Sequence, residues 1–68
     1  MKRFLVFVYP VYEEGGGWKD FDSDHETLEE AEKKRQAVHT PYSGSHVVDL
    51  SIGEIVIEQY EKYAVKKP

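Results

Sequence analysis

Cysteine is absent from this chain of 68 residues, which excludes a disulfide framework and a zinc site built on thiolates. The same absence favours a reducing compartment, so we expect a cytoplasmic protein. Long apolar runs are also missing: the longest, from Phe4 to Tyr9, falls far short of the roughly 20 residues that span a bilayer. Lys2 and Arg3 precede this run, but it is too short for a secretory signal and lacks a cleavage site of small residues.

Basic side chains are fewer than acidic ones. The chain has nine lysine and arginine residues and thirteen aspartate and glutamate residues, which gives a formal net charge of −4. Nonspecific affinity for nucleic acid depends on dense positive charge, so a nucleic-acid duplex is not an expected partner. A membrane is not an expected partner either, because no apolar run is long enough to span one. A local basic pocket for a small anion stays open. A chain this short forms one domain and buries only about 60% of its unfolded surface, so any further source of burial matters.

The first apolar run predicts a strand. Phe4 to Tyr9 is β-branched or aromatic almost throughout, and Pro10 ends it by removing a main-chain donor. Both sides of this strand are apolar, which indicates that both are covered. Trp18 to Asp22 predicts a second strand that pairs antiparallel with the first.

A helix is predicted from the capping box that starts at Thr27, in which Glu30 occupies the third helical position. Thr40 and Pro41 end it. One stripe at helical spacing predicts the side that faces the sheet. It consists of Leu28, Ala31, Arg35 and Val38. The pairs Glu29–Lys33 and Glu30–Lys34 are expected to form weak ion pairs on the opposite, solvated side.

Two more strands follow, His46 to Leu50 and Glu54 to Tyr60, joined by a hairpin in which Gly53 supplies a left-handed residue. The order strand, strand, helix, strand, strand predicts a two-layer α+β domain over residues 1–60. One helix packs on a three- to four-stranded antiparallel or mixed sheet in this fold. Residues 61–68 are expected to be a C-terminal tail.

A single helix covers one side of such a sheet, and several apolar side chains are expected on the other side. They are Leu5, Phe7, Tyr9, Val56 and Tyr60. Leaving each one exposed would forfeit roughly 1.5–3 kcal/mol. The segment around Trp18, the tail with Tyr63 or a second copy of the chain could cover them, and we favour the second copy. The sequence therefore predicts a homo-oligomer, most simply a homodimer.

The acidic segment from Asp20 to Glu26 resembles the opening of a calcium loop, but the match fails further on. His25 stands where such a loop needs glycine, and Ala31 stands where it needs a bidentate glutamate. The three histidines, His25, His39 and His46, show no metal-ligand spacing and no serine is visibly partnered with them. We therefore predict no metal, no cofactor, no catalytic residue and no enzymatic activity. A metal-dependent enzyme that uses Asp20, Asp22 and Asp24 is the third-ranked hypothesis.

Three consecutive glycines, Gly15 to Gly17, lead into the single tryptophan. They lack the frame of a phosphate-binding loop. Their backbone freedom suits either a wide hairpin bend or a mobile lid that presents Trp18 as a stacking platform. For the second reading, the candidate ligand-binding residues are Trp18, Lys19, Tyr12, Tyr42 and Arg3.

Four segments of the chain together resemble a group of small proteins from bacteriophages and prophages. They are residues 4–10, 16–21, 27–31 and 48–56. In that group a tyrosine-proline strand end precedes a G-G-W-x-D-F segment, an L-E-E-A helix and a D-x-x-x-G-x-I hairpin. The chain departs from the pattern near His25, where the group has a second phenylalanine before the helix.

This resemblance implies a protein of the host cytoplasm that acts by occupancy against a host or defence component. Two forms of that function remain open. In one, the candidate ligand-binding residues sequester a small nucleotide-like ligand, with Arg3 or Lys19 at its phosphate. In the other, the segment Asp20 to Glu26 and exposed tyrosines form the contact surface of a protein inhibitor.

Overall fold

The structure, a computed structural model, describes residues 1–10 and 16–60. The predicted tail, Gly15 and the candidate ligand residue Tyr12 therefore lie outside the described residues. The described residues form four strands, one α-helix and one short 3-10 helix. In chain order these are β1 (Phe4–Pro10), the 3-10 helix (Gly17–Asp20), β2 (Phe21–His25), α1 (Leu28–Val38), β3 (Ser43–Asp49) and β4 (Glu54–Tyr60).

The four strands form one sheet in the order β2-β1-β3-β4, and every neighbouring pair is antiparallel. Helix α1 packs on one face of this sheet, with Ala31 as its centre. The predicted two-layer α+β fold is thus confirmed, with four strands rather than three and without a parallel pair.

The hydrophobic core lies between α1 and the two central strands. Phe4 and Val6 of β1 meet Ala31 of α1 and Val47 of β3 there. Val6 and Val47 are directly opposite each other, so their side chains point to the same face of the sheet. Val38 and Ile57 pack against the margin of this cluster.

Strand β2 starts later than the sequence predicts. Gly16 and Gly17 have φ values of 84° and 54°, which turn the chain into the 3-10 helix before a strand can form. The main-chain amide of Gly16 also donates to the Asp20 carboxylate at 3.0 Å and closes the turn. Trp18 consequently lies in a helical turn, and pairing with β1 starts at Phe21.

Helix α1 has the predicted start. The Glu30 amide donates to the Thr27 hydroxyl at 3.1 Å, as the capping box requires. On the predicted stripe, Ala31 and Arg35 are buried, but Leu28 in the first turn is 40% exposed. The helix therefore contacts the sheet mainly through its second and third turns.

Replacing Thr27 with alanine should lower the free energy of unfolding by about 1 kcal/mol, because an amide in the first helical turn loses its acceptor. Urea denaturation followed by circular dichroism measures this loss. Thr27→Ser keeps the hydroxyl and should retain most of the stability. Equal losses in both variants would show that the cap contributes nothing.

Ion pairs within residues 1–10 and 16–60 join Arg3 to Asp49 and Arg35 to Glu32. The pairs that the sequence predicts along the exposed side of α1 do not form between the described residues. Lys33 and Lys34 are exposed on the helix and form no ion pair with a residue of the described ranges.

Candidate functional site

The sheet face opposite α1 carries a row of side chains that crosses all four strands. Phe21 of β2 pairs with Phe7 of β1, Phe7 pairs with His46 of β3, and His46 pairs with Glu58 of β4. Directly opposite residues on antiparallel strands point to the same face, so these four side chains form one continuous line. Three of the four are rings.

The rings of this row are in contact. The His46 ring stacks on Phe7 with centroids 4.9 Å apart and an interplanar angle of 25°. Phe21 meets Phe7 edge-on at 5.8 Å. Such geometries stabilise aromatic pairs beyond the area that they bury.

Trp18 lies on top of this row. Its ring centroid is 5.9 Å from that of Phe7 and 5.6 Å from that of Phe21. The 3-10 helix therefore folds back over the sheet, yet 64% of Trp18 remains exposed. A large apolar ring is thus presented to solvent on a fixed base.

A second pair of rings extends the surface toward β4. Tyr9 and Tyr60 stack with centroids 5.8 Å apart, and a Cβ atom added to Gly44 would lie 2.9 Å from both rings. The two rings therefore close over Gly44, where no larger residue fits. We call the whole surface the aromatic face; it consists of Trp18, Phe21, Phe7, His46, Tyr9 and Tyr60.

The aromatic face is covered largely by the chain itself. Leu5, Phe7 and Tyr9 do point away from α1, as predicted, but they are only 2%, 8% and 5% exposed. Neighbouring rings of the aromatic face shield Phe7 and Tyr9. The predicted need for a second molecule over these three side chains is therefore removed. Within the aromatic face, the exposed side chains are those of Trp18 and Tyr60.

His46 is the only titratable side chain among the rings of the row. Its Nδ1 atom is buried and has no hydrogen-bond partner in the described part of the chain. Burial lowers the pKa of His46, and the carboxylates of Glu58 and Asp20 oppose this shift. The ring is therefore neutral at pH 7 and acts there mainly as an aromatic contact of Phe7.

On the other side of the sheet, Arg35 organises a buried polar cluster. It donates two bonds of 2.6 Å to the Glu32 carboxylate, one of 2.9 Å to the Ser45 hydroxyl and one of 2.6 Å to the Gln59 amide oxygen. His39 Nδ1 also lies 2.8 Å from the Ser45 hydroxyl. Ser45 is fully buried, so this serine-histidine contact holds α1 on the sheet and is closed to a substrate.

A second serine-histidine contact joins Ser23 to His25 Nε2 at 2.8 Å, and the Ser23 hydroxyl also donates to Asp22 at 2.9 Å. The expectation that no serine is partnered with a histidine is therefore wrong, because alternate residues of a strand share a face. A hydroxyl has one proton, and here it points to Asp22, so His25 is the donor in the other bond. This arrangement lacks the proton path of a nucleophile with its base.

The carboxylates of the predicted calcium-like segment are engaged by the protein. Asp20 accepts from Gly16, Asp22 from Ser23 and Asp24 from the Lys2 amide. The Lys2 amide lowers the pKa of Asp24, with a smaller opposing effect of burial. The described residues contain no group of three or more His, Asp or Glu side chains arranged to hold a metal ion.

The candidate ligand-binding residues do not converge. The Arg3 guanidinium donates two hydrogen bonds of 2.8 and 3.0 Å to the Asp49 carboxylate. It also lies 4.8 Å from the centre of the Phe4 ring, on the α1 side of the sheet. Tyr42 precedes β3 at the opposite end of β1. Trp18 and Lys19 remain together next to the aromatic face. A single small ligand cannot contact Arg3, Tyr42 and Trp18 at once.

Asp49 should make stability depend on pH. The Arg3 guanidinium holds the pKa of Asp49 well below its usual range, and bonds from Ser51 act in the same direction. Because the folded pKa is depressed, the stabilisation is complete above the unfolded pKa near 4 and is lost as pH falls below it. Asp49→Asn should therefore be less stable at pH 7 and should lose less stability between about pH 5 and pH 2.

Thermal unfolding at several pH values measures this difference. The exposed Asp22 forms no ion pair with a described residue, so Asp22→Asn is the matched control for the loss of one carboxylate. Parallel curves for Asp49→Asn and the wild type would contradict the assigned role of the Arg3–Asp49 pair.

Sequence reasoning did not assign Phe21 and His46 to this surface, although it predicted Phe7, Tyr9 and Tyr60 on the side of the sheet away from α1. The alternation of β1 places Phe7 and Tyr9 there. Only the pairing of β1 with β3 then brings His46 next to them.

Comparisons with protein-family models, with curated proteins and with solved structures found no match to this chain. Among the described residues, no helix is both long and apolar enough to cross a membrane.

Proposed function

We propose that this chain is a small non-enzymatic binding protein that acts by occupying a partner protein, with the aromatic face as its contact surface. The supporting observation is Trp18, which is 64% exposed and packed on the rings of Phe7 and Phe21. Tryptophan is among the residues most enriched at the energetic centres of interfaces. A fixed ring also loses little conformational entropy on binding.

The charges around the aromatic face favour a protein over a nucleotide. Asp20 is the last residue of the 3-10 helix, Asp24 lies opposite Leu5 on the same face, and Glu58 ends the row on β4. The cation next to Trp18 in the 3-10 helix is Lys19. Phosphate groups would be repelled by these carboxylates, whereas arginine or lysine of a partner could meet both a carboxylate and an aromatic ring.

The resemblance to phage and prophage proteins directs the proposal toward a host or defence component as the partner. Such a role requires stoichiometric binding and no chemistry, which agrees with the engaged carboxylates and the closed serine contacts described above. Genes of known counter-defence function next to this one would support the assignment.

A second copy of the chain is the other candidate occupant of the aromatic face. Tyr60 and Ile55 point to this face and are 46% and 50% exposed, and Trp18 adds a third exposed side chain. A homodimer would bury all three at a two-fold axis. Sedimentation across a concentration range separates this candidate from a hetero-partner, because only self-association depends on the concentration of the chain alone.

The central experiment captures partners from a bacterial host extract on immobilised wild-type protein and on two variants. Trp18→Ala should reduce retention of a specific host protein at least tenfold. Ile52→Ala, which removes an equally exposed side chain at the β3–β4 hairpin, should not change it. Retention that is unaffected by Trp18→Ala would contradict the proposal.

A titration with cyclic and linear nucleotides, followed by Trp18 fluorescence, tests the alternative ligand. We expect no saturable response. A saturating response to one nucleotide would replace the protein partner with a sequestered small molecule.

A further inference from the structure

Strand β2 borders a groove that the aromatic face does not use. The sheet order places β2 at one edge, and no further strand pairs with it within residues 1–10 and 16–60. A cavity of about 390 Å³ lies between the end of this strand and the flank of α1. It is lined by His25, Glu30, Lys33, Lys34 and Ala37.

The four helical residues of this lining form one stripe. Their spacing of i, i+3, i+4 and i+7 places them on the same side of α1. Lys33 and Lys34 are exposed and form no ion pair with a described residue. The flank of the helix therefore presents two ammonium groups to the groove.

An edge strand leaves alternate main-chain N–H and C=O groups without a strand partner. Extended peptides bind such edges by adding a strand, and a groove beside a helix supplies the pockets for their side chains. Both elements occur together here. Ser23 and His25 of β2 point to the α1 side, because they lie opposite Val6 and Phe4.

We propose that the β2 edge receives an extended acidic segment of the partner protein as a fifth strand. This inference rests on the proposed function and specifies how the partner is bound. Side chains of the added strand that point to the α1 side meet Lys33 and Lys34, so carboxylates fit there. Those that point the other way meet Phe21, Trp18 and Asp24, so apolar or basic residues fit there.

A free small anion fits this groove less well than a strand does. Glu30 lies in the same lining and the chain carries a net charge of −4, so the lysines alone offer little affinity to an ion. An added strand gains main-chain hydrogen bonds along β2 and places its carboxylates toward the lysines. It also continues directly into the aromatic face, since Phe21 belongs to both.

The test uses end-blocked synthetic hexapeptides and the full chain labelled with ¹⁵N. The first probe alternates glutamate with valine, and the second alternates lysine with valine. A third has the sequence of the first with N-methyl groups on alternate amides, which removes main-chain donors and keeps every side chain.

The glutamate probe should bind at least tenfold more tightly than the lysine probe and should slow amide exchange in β2. The N-methylated probe should lose this binding at least tenfold. The double variant Lys33→Glu, Lys34→Glu should reverse the preference between the first two probes. A reversal cannot result from unfolding, so the variant remains informative even if it is less stable.

Three results would overturn the inference: equal binding of both charge types, full binding of the N-methylated probe, or protection at β4 instead of β2. The capture experiment with Trp18→Ala is independent of these probes. If Trp18→Ala reduces capture but the peptide probes do not bind as expected, the proposal of an added strand is wrong. The aromatic face then remains the proposed contact surface.

Discussion

Replacing Arg35 with alanine is expected to lower the free energy of unfolding by about 3–5 kcal/mol, because it removes a buried side chain together with its ion pair to the partly exposed Glu32. Arg35 is only 5% exposed and makes four hydrogen bonds to three side chains. Its removal takes one hydrogen bond each from the buried Ser45 hydroxyl and the Gln59 amide oxygen, and it leaves a space between α1 and the sheet. For a domain of this size, that loss approaches the whole stability.

The contributions of the guanidinium's shape and of its charge to stability can be measured separately. Arg35→Lys keeps the charge but lacks the planar fork, so it should recover only part of the loss. Lys33→Ala, on the exposed side of the same helix, is the matched control and should change stability by less than about 0.5 kcal/mol. Urea denaturation followed by circular dichroism measures all three. A loss below 1 kcal/mol for Arg35→Ala would mean that the cluster does not hold α1 on the sheet.

Gly44→Val is expected to cost about 2–3 kcal/mol, because a side chain at this position collides with two rings. Even the first added carbon would lie 2.9 Å from both Tyr9 and Tyr60. Tyr60 is partly exposed and can move aside, but Tyr9 is 5% exposed and cannot move without disturbing the aromatic face. The variant should therefore lose stability and weaken binding by the aromatic face together.

A double-mutant cycle identifies the cause. If ring contact is responsible, Tyr60→Ala should reduce the cost of Gly44→Val, since residues in contact have non-additive effects. Gly53→Ala is the matched glycine control: its φ of 68° strains alanine, but no atom lies within 4 Å of the added carbon. Its cost should be unaffected by Tyr60→Ala. Strict additivity in the Gly44 cycle would contradict the closed stack of tyrosines.

The parts of the fold that depend on strong local sequence patterns were predicted correctly. Glu54 to Tyr60 forms a strand with the predicted bounds, and Thr27 caps the helix as its spacing predicts. The start of β2 was not predicted correctly, because it depends on the positive φ values of Gly16 and Gly17. Three glycines permit such a turn but do not specify where it ends.

The aromatic face illustrates a different limit. Trp18 is the single tryptophan of the sequence and was therefore a candidate residue from the start. Phe7 and His46, in contrast, are 39 positions apart and meet only through the register of β1 against β3. Such long-range pairing is not encoded in the alternation of either strand alone. The same register separates Arg3 from Trp18 by placing its partner Asp49 on the α1 side.

Hydroxyl-radical footprinting of the complex with a protein captured by the immobilised chain tests the proposed contact surface most directly. The free chain should be oxidised rapidly at Trp18 and Tyr60, which are exposed, and both should be protected several-fold in the complex. Ile52, at the hairpin, should react equally in both states. Unchanged oxidation of Trp18 in a complex that protects other residues would show that the partner binds elsewhere and that the aromatic face is not its site.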